Sequence, residues 1–161
     1  MTFLKKPLSI ALLMSASLLL GGVALAQKAP APPTYPDSVK AYVGAVKKQI
    51  KTIKLDEFRA LLDQGKAGLL VDVREQNEVA DGYVPGAVHI PRGLIEFRIW
   101  GELGFPNAVD MGKPITLYCL TGGRAALATK SLQDLGFTNV TAVDMLFAEW
   151  VKGGNPVVKP K

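Results

Sequence analysis

The 161-residue chain has one cysteine and one histidine. A lone cysteine excludes an internal disulfide, and one Cys with one His forms no cluster at metal-ligand spacing, so neither a disulfide scaffold nor a metal site is expected. No strong charge excess is present either: 19 Lys and Arg stand against 14 Asp and Glu. The basic residues are scattered apart from Lys47, Lys48 and Lys51, which read as the solvated face of a helix, so nucleic acid is not an expected partner. The length leaves room for one domain with a proper core and no second.

What the chain does have begins at its N-terminus. Lys5 and Lys6 precede an apolar run from Leu8 to Ala26 that ends in Ala24-Leu25-Ala26 before Gln27. A positive start, an apolar middle and a small-residue end describe a secretory signal peptide over 1–26, cut after Ala26. An uncleaved anchor is the rival, since 19 residues could just span a bilayer; the Ser, Gly and Ala content and the small-residue ending favour cleavage. With no cysteine near the site, lipid attachment there is excluded. The mature chain, with 17 basic and 14 acidic residues, is expected to be soluble and exported, most simply into a bacterial periplasm, with no membrane association after cleavage.

Residues 27–36 are Ala/Pro-rich and read as a linker. Over 37–51, Val39, Tyr42, Val43, Val46 and Ile50 recur at helical spacing behind Asp37 or Ser38 as a cap. This predicts an amphipathic helix whose stripe packs on the core. A short strand around Thr52-Ile53, a helix over 55–62 ended near Gly65, and a buried strand within 68–73 follow. Val88-His89-Ile90 is a further strand, with a helix from about Leu94 to Trp100. Ile115–Tyr118 and Val140–Val143 complete a set of strands alternating with helices. That alternation predicts an α/β fold, a central parallel sheet with helices on both faces. His89 is expected to be a satisfied strand residue, and Phe97, Trp100 and Phe105 to be core or to shape a pocket rim.

The most informative stretch is Pro114-Ile-Thr-Leu-Tyr-Cys119-Leu120-Thr121-Gly122-Gly123-Arg124. It runs the cysteine off a β-branched strand into a Gly-rich turn ahead of a helix over 125–135. A strand, tight loop and helix in succession aim consecutive backbone N–H groups into the loop, and the helix N-terminus adds partial positive charge. A free cysteine after an apolar strand is often an inert core residue. Such a residue would need neither the paired glycines nor Arg124, so the pattern predicts a nucleophilic Cys119.

Four segments in order resemble the rhodanese family of sulfurtransferases: Val71-Asp-Val-Arg-Glu75; Gly82 to Gly93; the Cys119–Arg124 loop; and Leu135-Gly-Phe-Thr-Asn-Val140 running on to Trp150. The resemblance implies a rhodanese-like domain over 52–161. It implies that Cys119 takes a sulfane sulfur from a donor such as thiosulfate as a persulfide and passes it to cyanide, a thiol or a protein acceptor, with no cofactor. Leu120, Thr121, Gly122, Gly123 and Arg124 would bind the substrate. Asp72 and Arg74 would mostly brace the sheet, with Arg74 in a secondary site role.

Two alternatives stay open. One is a catalytically weak sulfur-carrier or protein-binding module. The other is a cysteine-dependent phosphatase or arsenate reductase-like enzyme, although phosphatases of the related fold use Cys-x5-Arg where this chain has Cys-x4-Arg, and need an acid that only Asp144 or Glu149 could supply from nearby. The chain departs from the family at Met145 and Leu146, where a Gly-Gly pair is often found. Their side chains either close part of the pocket or give it an apolar wall. Ala125 likewise replaces a serine carried by many relatives.

Overall fold

A computed structural model describes residues 34–160, together with Thr2 alone. The expected signal peptide and most of the linker lie outside the described residues. Among the described residues, no helix is long and apolar enough to cross a membrane.

The elements run in the order α1 (Asp37–Lys47), β1 (Lys51–Ile53), α2 (Leu55–Asp63), β2 (Leu69–Asp72), α3 (Gln76–Ala80), β3 (Val88–His89), a 3-10 turn (Arg92–Leu94), α4 (Ile95–Glu102), β4 (Ile115–Tyr118), α5 (Gly123–Asp134), β5 (Val140–Val143) and α6 (Phe147–Lys152). The five strands form one sheet in the order β1-β5-β4-β2-β3, and every pairing is parallel. β4 is central, with β2 and β5 as neighbours, and all four of its residues are buried. A strand covered on both faces buries every side chain, so its polar atoms need partners: Thr116 donates its hydroxyl to the Ala67 carbonyl at 2.7 Å, and the Tyr118 hydroxyl accepts from the Val84 N–H.

Side chains alternate between two cores, as the pleat requires. Val71, Ile115, Leu117 and Ala142 pack with Ile95 and Ile99 of α4 and Ala128 and Leu132 of α5. Leu70, Tyr118 and Val143 pack with Phe58 of α2 and Phe147 and Trp150 of α6. The fold is therefore α/β, with helices on both faces of a central parallel sheet, as the alternation of strands and helices predicts.

α1 departs from the expectation in three ways. It ends at Lys47, and Lys51 already belongs to β1. Its N-cap is Pro36, with no side-chain cap bond from Asp37 or Ser38; the fixed φ of proline is itself compatible with a helix start. Of its apolar stripe only Val46 is buried, while Val39 and Tyr42 stay exposed. The helix lies against α5, too far out to put that stripe in the core. Ile50 does reach the core, from the connection ahead of β1.

Candidate active site

Cys119 follows β4 directly, at the carboxyl edge of the sheet where open α/β folds place ligands. It is 1% exposed and packs among Val71, Val73, Ile90 and Ala125. The chain then turns through Leu120, Thr121 and Gly122 into α5. Gly122 is the N-cap, in the left-handed region at φ 79°. A Cβ there would sit 2.6 Å from Asp144 Oδ1 and 3.0 Å from Asp144 Cα, so both the turn and its close approach to the end of β5 require glycine. The loop is tied down from outside by the Phe147 N–H, which donates to the Leu120 carbonyl at 2.9 Å.

Inside the loop the backbone donors are left over. Among the hydrogen bonds of the described residues, none uses the N–H of Leu120, Thr121, Gly122, Gly123, Arg124 or Ala125; the first bonded donor is Ala126, to the Gly122 carbonyl at 3.0 Å. With no side-chain cap at Gly122, six consecutive amides remain available beside Cys119. Amides in this arrangement, at the start of a 12-residue helix, favour an anion.

Arg124 is tied to α3. Its two Nη groups donate to the Glu78 carboxylate at 2.6 and 2.7 Å, and Glu75 lies 3.7 Å away. Two of its five N–H groups, one on each Nη, are thus committed to α3. The Glu78 hydrogen bond, opposed by burial and aided by the charge of Cys119, holds the guanidinium above its ordinary range. Arg124 thus holds a fixed positive charge close enough to Cys119 for the two to interact. Sequence reading missed Glu78 altogether, although Glu75 and Glu78 at a spacing of three form the capping box of α3 and were a visible helix-start signal.

Asp72 and Arg74 form a bracing unit, not part of the loop. Arg74 donates from Nε and Nη2 to Asp72, and to the carbonyls of Glu78 and Gly82 at 3.0 and 2.7 Å. Its guanidinium lies 4.0 Å from the Phe147 ring centroid. Burial works against the charge, but the Asp72 hydrogen bonds outweigh it and leave Arg74 above its ordinary range. His89 is satisfied, with Nε2 2.8 Å from the Arg74 carbonyl oxygen. Tyr118, buried in the adjacent core, accepts from the Val84 N–H at 3.0 Å, and burial pushes its hydroxyl well above the usual range.

Two depressions flank the loop. The smaller, about 320 Å³, is lined by Lys54, Asp144, Met145, Glu149 and neighbours. The larger, about 530 Å³, lies between α1 and α5. Thr121 and Leu146 line both. Met145 is buried in the Phe58–Trp150 core, while the half-buried Leu146 gives each depression an apolar wall. Phe97, Trp100 and Phe105 line neither: Trp100 packs on Phe137 with ring centroids 5.2 Å apart, and the two phenylalanines are exposed away from the loop.

Asp144, next to Gly122, binds Lys47 of α1 at 2.5 Å and Lys54 at 2.6 Å. Burial disfavours its charge, but the two lysines outweigh that and hold the carboxyl below its ordinary range. It is an ionised anchor at neutral pH, with no proton to give. Among the described residues, no group of three His, Cys, Asp or Glu could hold a metal ion.

Residues 54–153 match the rhodanese-like domain family. Thiosulfate:glutathione sulfurtransferase of Homo sapiens is 32% identical over 108 residues, which cover 63% of this chain and 93% of the human protein. A polysulfide-sulfur transferase homodimer from Wolinella succinogenes superposes with a TM-score of 0.60 at 28% identity, over 78% of this chain and 90% of that one. A protein of unknown function from Rhodopseudomonas palustris, described as a possible tyrosine phosphatase, superposes with a TM-score of 0.64 at 30% identity, over 80% of this chain and 100% of that one. With sheet order, loop and matched span in agreement, the chain belongs to the rhodanese-like domain family, and sulfurtransferases are among its relatives.

Proposed function

We propose that the protein is a sulfurtransferase that carries sulfane sulfur on Cys119. The observation that carries this reading is the row of six unbonded amides, 120–125, beside a cysteine at the end of the central strand. The Cys119 thiolate attacks the outer sulfur of a donor such as thiosulfate. The donor's S–S bond breaks, sulfite leaves with the bonding pair, and Cys119 holds a persulfide. A thiophilic acceptor, cyanide or a thiol, then attacks the outer sulfur, and Cys119 departs as thiolate. Thiolate and persulfide are both anions, so the amides serve each stage and no general base is needed.

A phosphatase reading has one point in its favour, the description of the Rhodopseudomonas palustris neighbour. Against it, the loop between Cys119 and Arg124 holds four residues, the nearby Asp144 is ionised and bound by two lysines, and Arg124 holds Glu78 with both Nη groups. Oxygen leaving groups need a proton donor, and Asp144, held ionised by Lys47 and Lys54, is not one. A weak sulfur-carrier role would keep the persulfide and lose only turnover.

In this reading residues 1–26 are a cleaved signal and the protein works after export, in the periplasm. Intact mass spectrometry of protein recovered from cells tests both parts. Loss of residues 1–26 supports export, and their retention overturns it. A gain of about 32 Da after thiosulfate, absent in Cys119→Ser and removed by cyanide, is the expected mark of the persulfide. Hydrolysis of an aryl phosphate without any sulfur gain would replace this reading with the phosphatase.

A further inference from the structure

The larger depression has no role in the sulfur chemistry just described, and its outer wall is α1, which lies ahead of the matched span 54–153. Its lining presents Tyr35, Val39 and Val43 on one side and Leu127 and Leu146 on the other, while its cations Lys40, Lys47 and Arg124 are each engaged by a carboxylate, Asp37, Asp144 and Glu78. Tyr35 and Val39 are 46% and 42% exposed, so apolar surface is held open toward this groove rather than sunk in the core. At about 530 Å³ it has the size of a small-molecule site rather than of a protein-docking face.

The groove opens onto the sulfur-handling loop. Thr121, Gly123 and Arg124 belong to its lining, and the Val43 methyls lie 3.8 and 4.0 Å from where a Gly123 Cβ would stand. α1 is pinned in this position at its C-terminal end, where Lys47 donates to Asp144, the residue against which Gly122 packs. The groove therefore keeps a fixed relation to Cys119 and its amides.

We propose that this groove holds the apolar body of the acceptor, and that the acceptor is a small thiol carrying a hydrocarbon group about the size of an aromatic ring. The inference rests on the persulfide reading above. The thiolate of the acceptor attacks the outer sulfur of the Cys119 persulfide, the Cys119 S–S bond breaks, and Cys119 is released as thiolate while the acceptor leaves as its own persulfide. The outer sulfur carries its negative charge with it: two anions, acceptor thiolate and Cys119 persulfide, give two anions, acceptor persulfide and Cys119 thiolate, so charge and atoms balance. Burying a ring beside Val39, Val43 and Leu146 lowers the free energy of that encounter, and a hydrophilic thiol gains nothing from the same walls.

The test is discharge of sulfur-loaded protein by two alkyl thiols, 2-phenylethanethiol and 2-mercaptoethanol, each rate being expressed per thiolate and divided by the rate of the same thiol with a small-molecule persulfide, so that the difference in basicity cancels. The expected result is a second-order rate at least about tenfold higher for the phenyl compound. In Val39→Asp, a partly exposed site where folding is not at stake, that ratio is expected to fall toward one, and in Val39→Leu to persist. Loaded protein that discharges equally fast to both thiols overturns the inference and leaves the persulfide reading standing. Protein that never takes sulfur from thiosulfate overturns the persulfide reading itself. A preference for the phenyl thiol that survives Val39→Asp unchanged also overturns the inference, because the groove would not be its source.

Discussion

Gly122 and Gly123 are neighbours in sequence and opposites in tolerance. Alanine at 122 must adopt φ near 79°, which costs a residue with a Cβ about 1–2 kcal/mol. The new methyl would also lie 2.6 Å from Asp144 Oδ1, 3.0 Å from Asp144 Cα and 3.3 Å from the Val143 carbonyl oxygen. Two of those atoms are backbone, so the strand end or the loop has to move. Overpacking of this kind adds about 1–3 kcal/mol. Gly122→Ala is therefore expected to lose about 2–5 kcal/mol, a fall in melting temperature of roughly 10–15 °C for a domain of this size. Gly123 has negative φ inside the first turn of α5, and a Cβ there meets only the Val43 methyls at 3.8 and 4.0 Å. Gly123→Ala should stay within about 0.5 kcal/mol of the parent. The assay is urea or thermal unfolding of both variants, followed by the rate of sulfur loading from thiosulfate. Displaced amides should slow loading at least about tenfold in Gly122→Ala. Equal stability of the two variants would refute the close-approach argument, and normal loading in a destabilised Gly122→Ala would refute the role given to the amides.

Glu78 has its carboxyl held below the ordinary value of 4.5 by the Arg124 hydrogen bond, against the opposing effect of burial. A depressed folded value means that ionised Glu78 contributes stability above pH 4.5, lost as pH falls through the folded value. Glu78→Gln should be less stable than the parent at neutral pH, and the gap should narrow as pH falls below 4.5, read as urea midpoints across that range; a constant gap would contradict the assignment. Asp72→Asn leaves the Arg74 guanidinium, 2% exposed, without its counter-charge and should cost about 3–5 kcal/mol by denaturant unfolding. Removing the exposed Asp37–Lys40 pair should change nothing measurable. Comparable losses in the two cases would show that burial is not what gives the Asp72–Arg74 pair its weight.

The parallel sheet was legible because its strands are short apolar runs, Leu69–Asp72, Ile115–Tyr118 and Val140–Val143, separated by helical stretches, and a strand buried on both faces admits few other residues. Cys119 was legible because its setting is local: strand, Gly-Gly turn and helix lie within ten residues of each other. α1 was legible as a helix but not in its packing. A stripe of Val39, Val43 and Val46 says that a face is apolar without saying what covers it, and here the cover is partial. Arg124 was placed in the right loop, but its bond to Glu78 was not foreseen, since nothing near it in sequence marks that residue.

Local chemistry therefore determined the elements, the reactive-cysteine candidate and the need for glycine at the turn, because each depends on backbone geometry within a few residues. The tertiary structure alone decided that Arg124 is clamped by a carboxylate 46 residues away, that Lys47 reaches Asp144 across 97 residues, and that a helix ahead of the family's matched span walls a groove beside the loop. Pairings at such separations leave no period in the chain. They exist only once the sheet order β1-β5-β4-β2-β3 has brought the ends of distant strands to one edge.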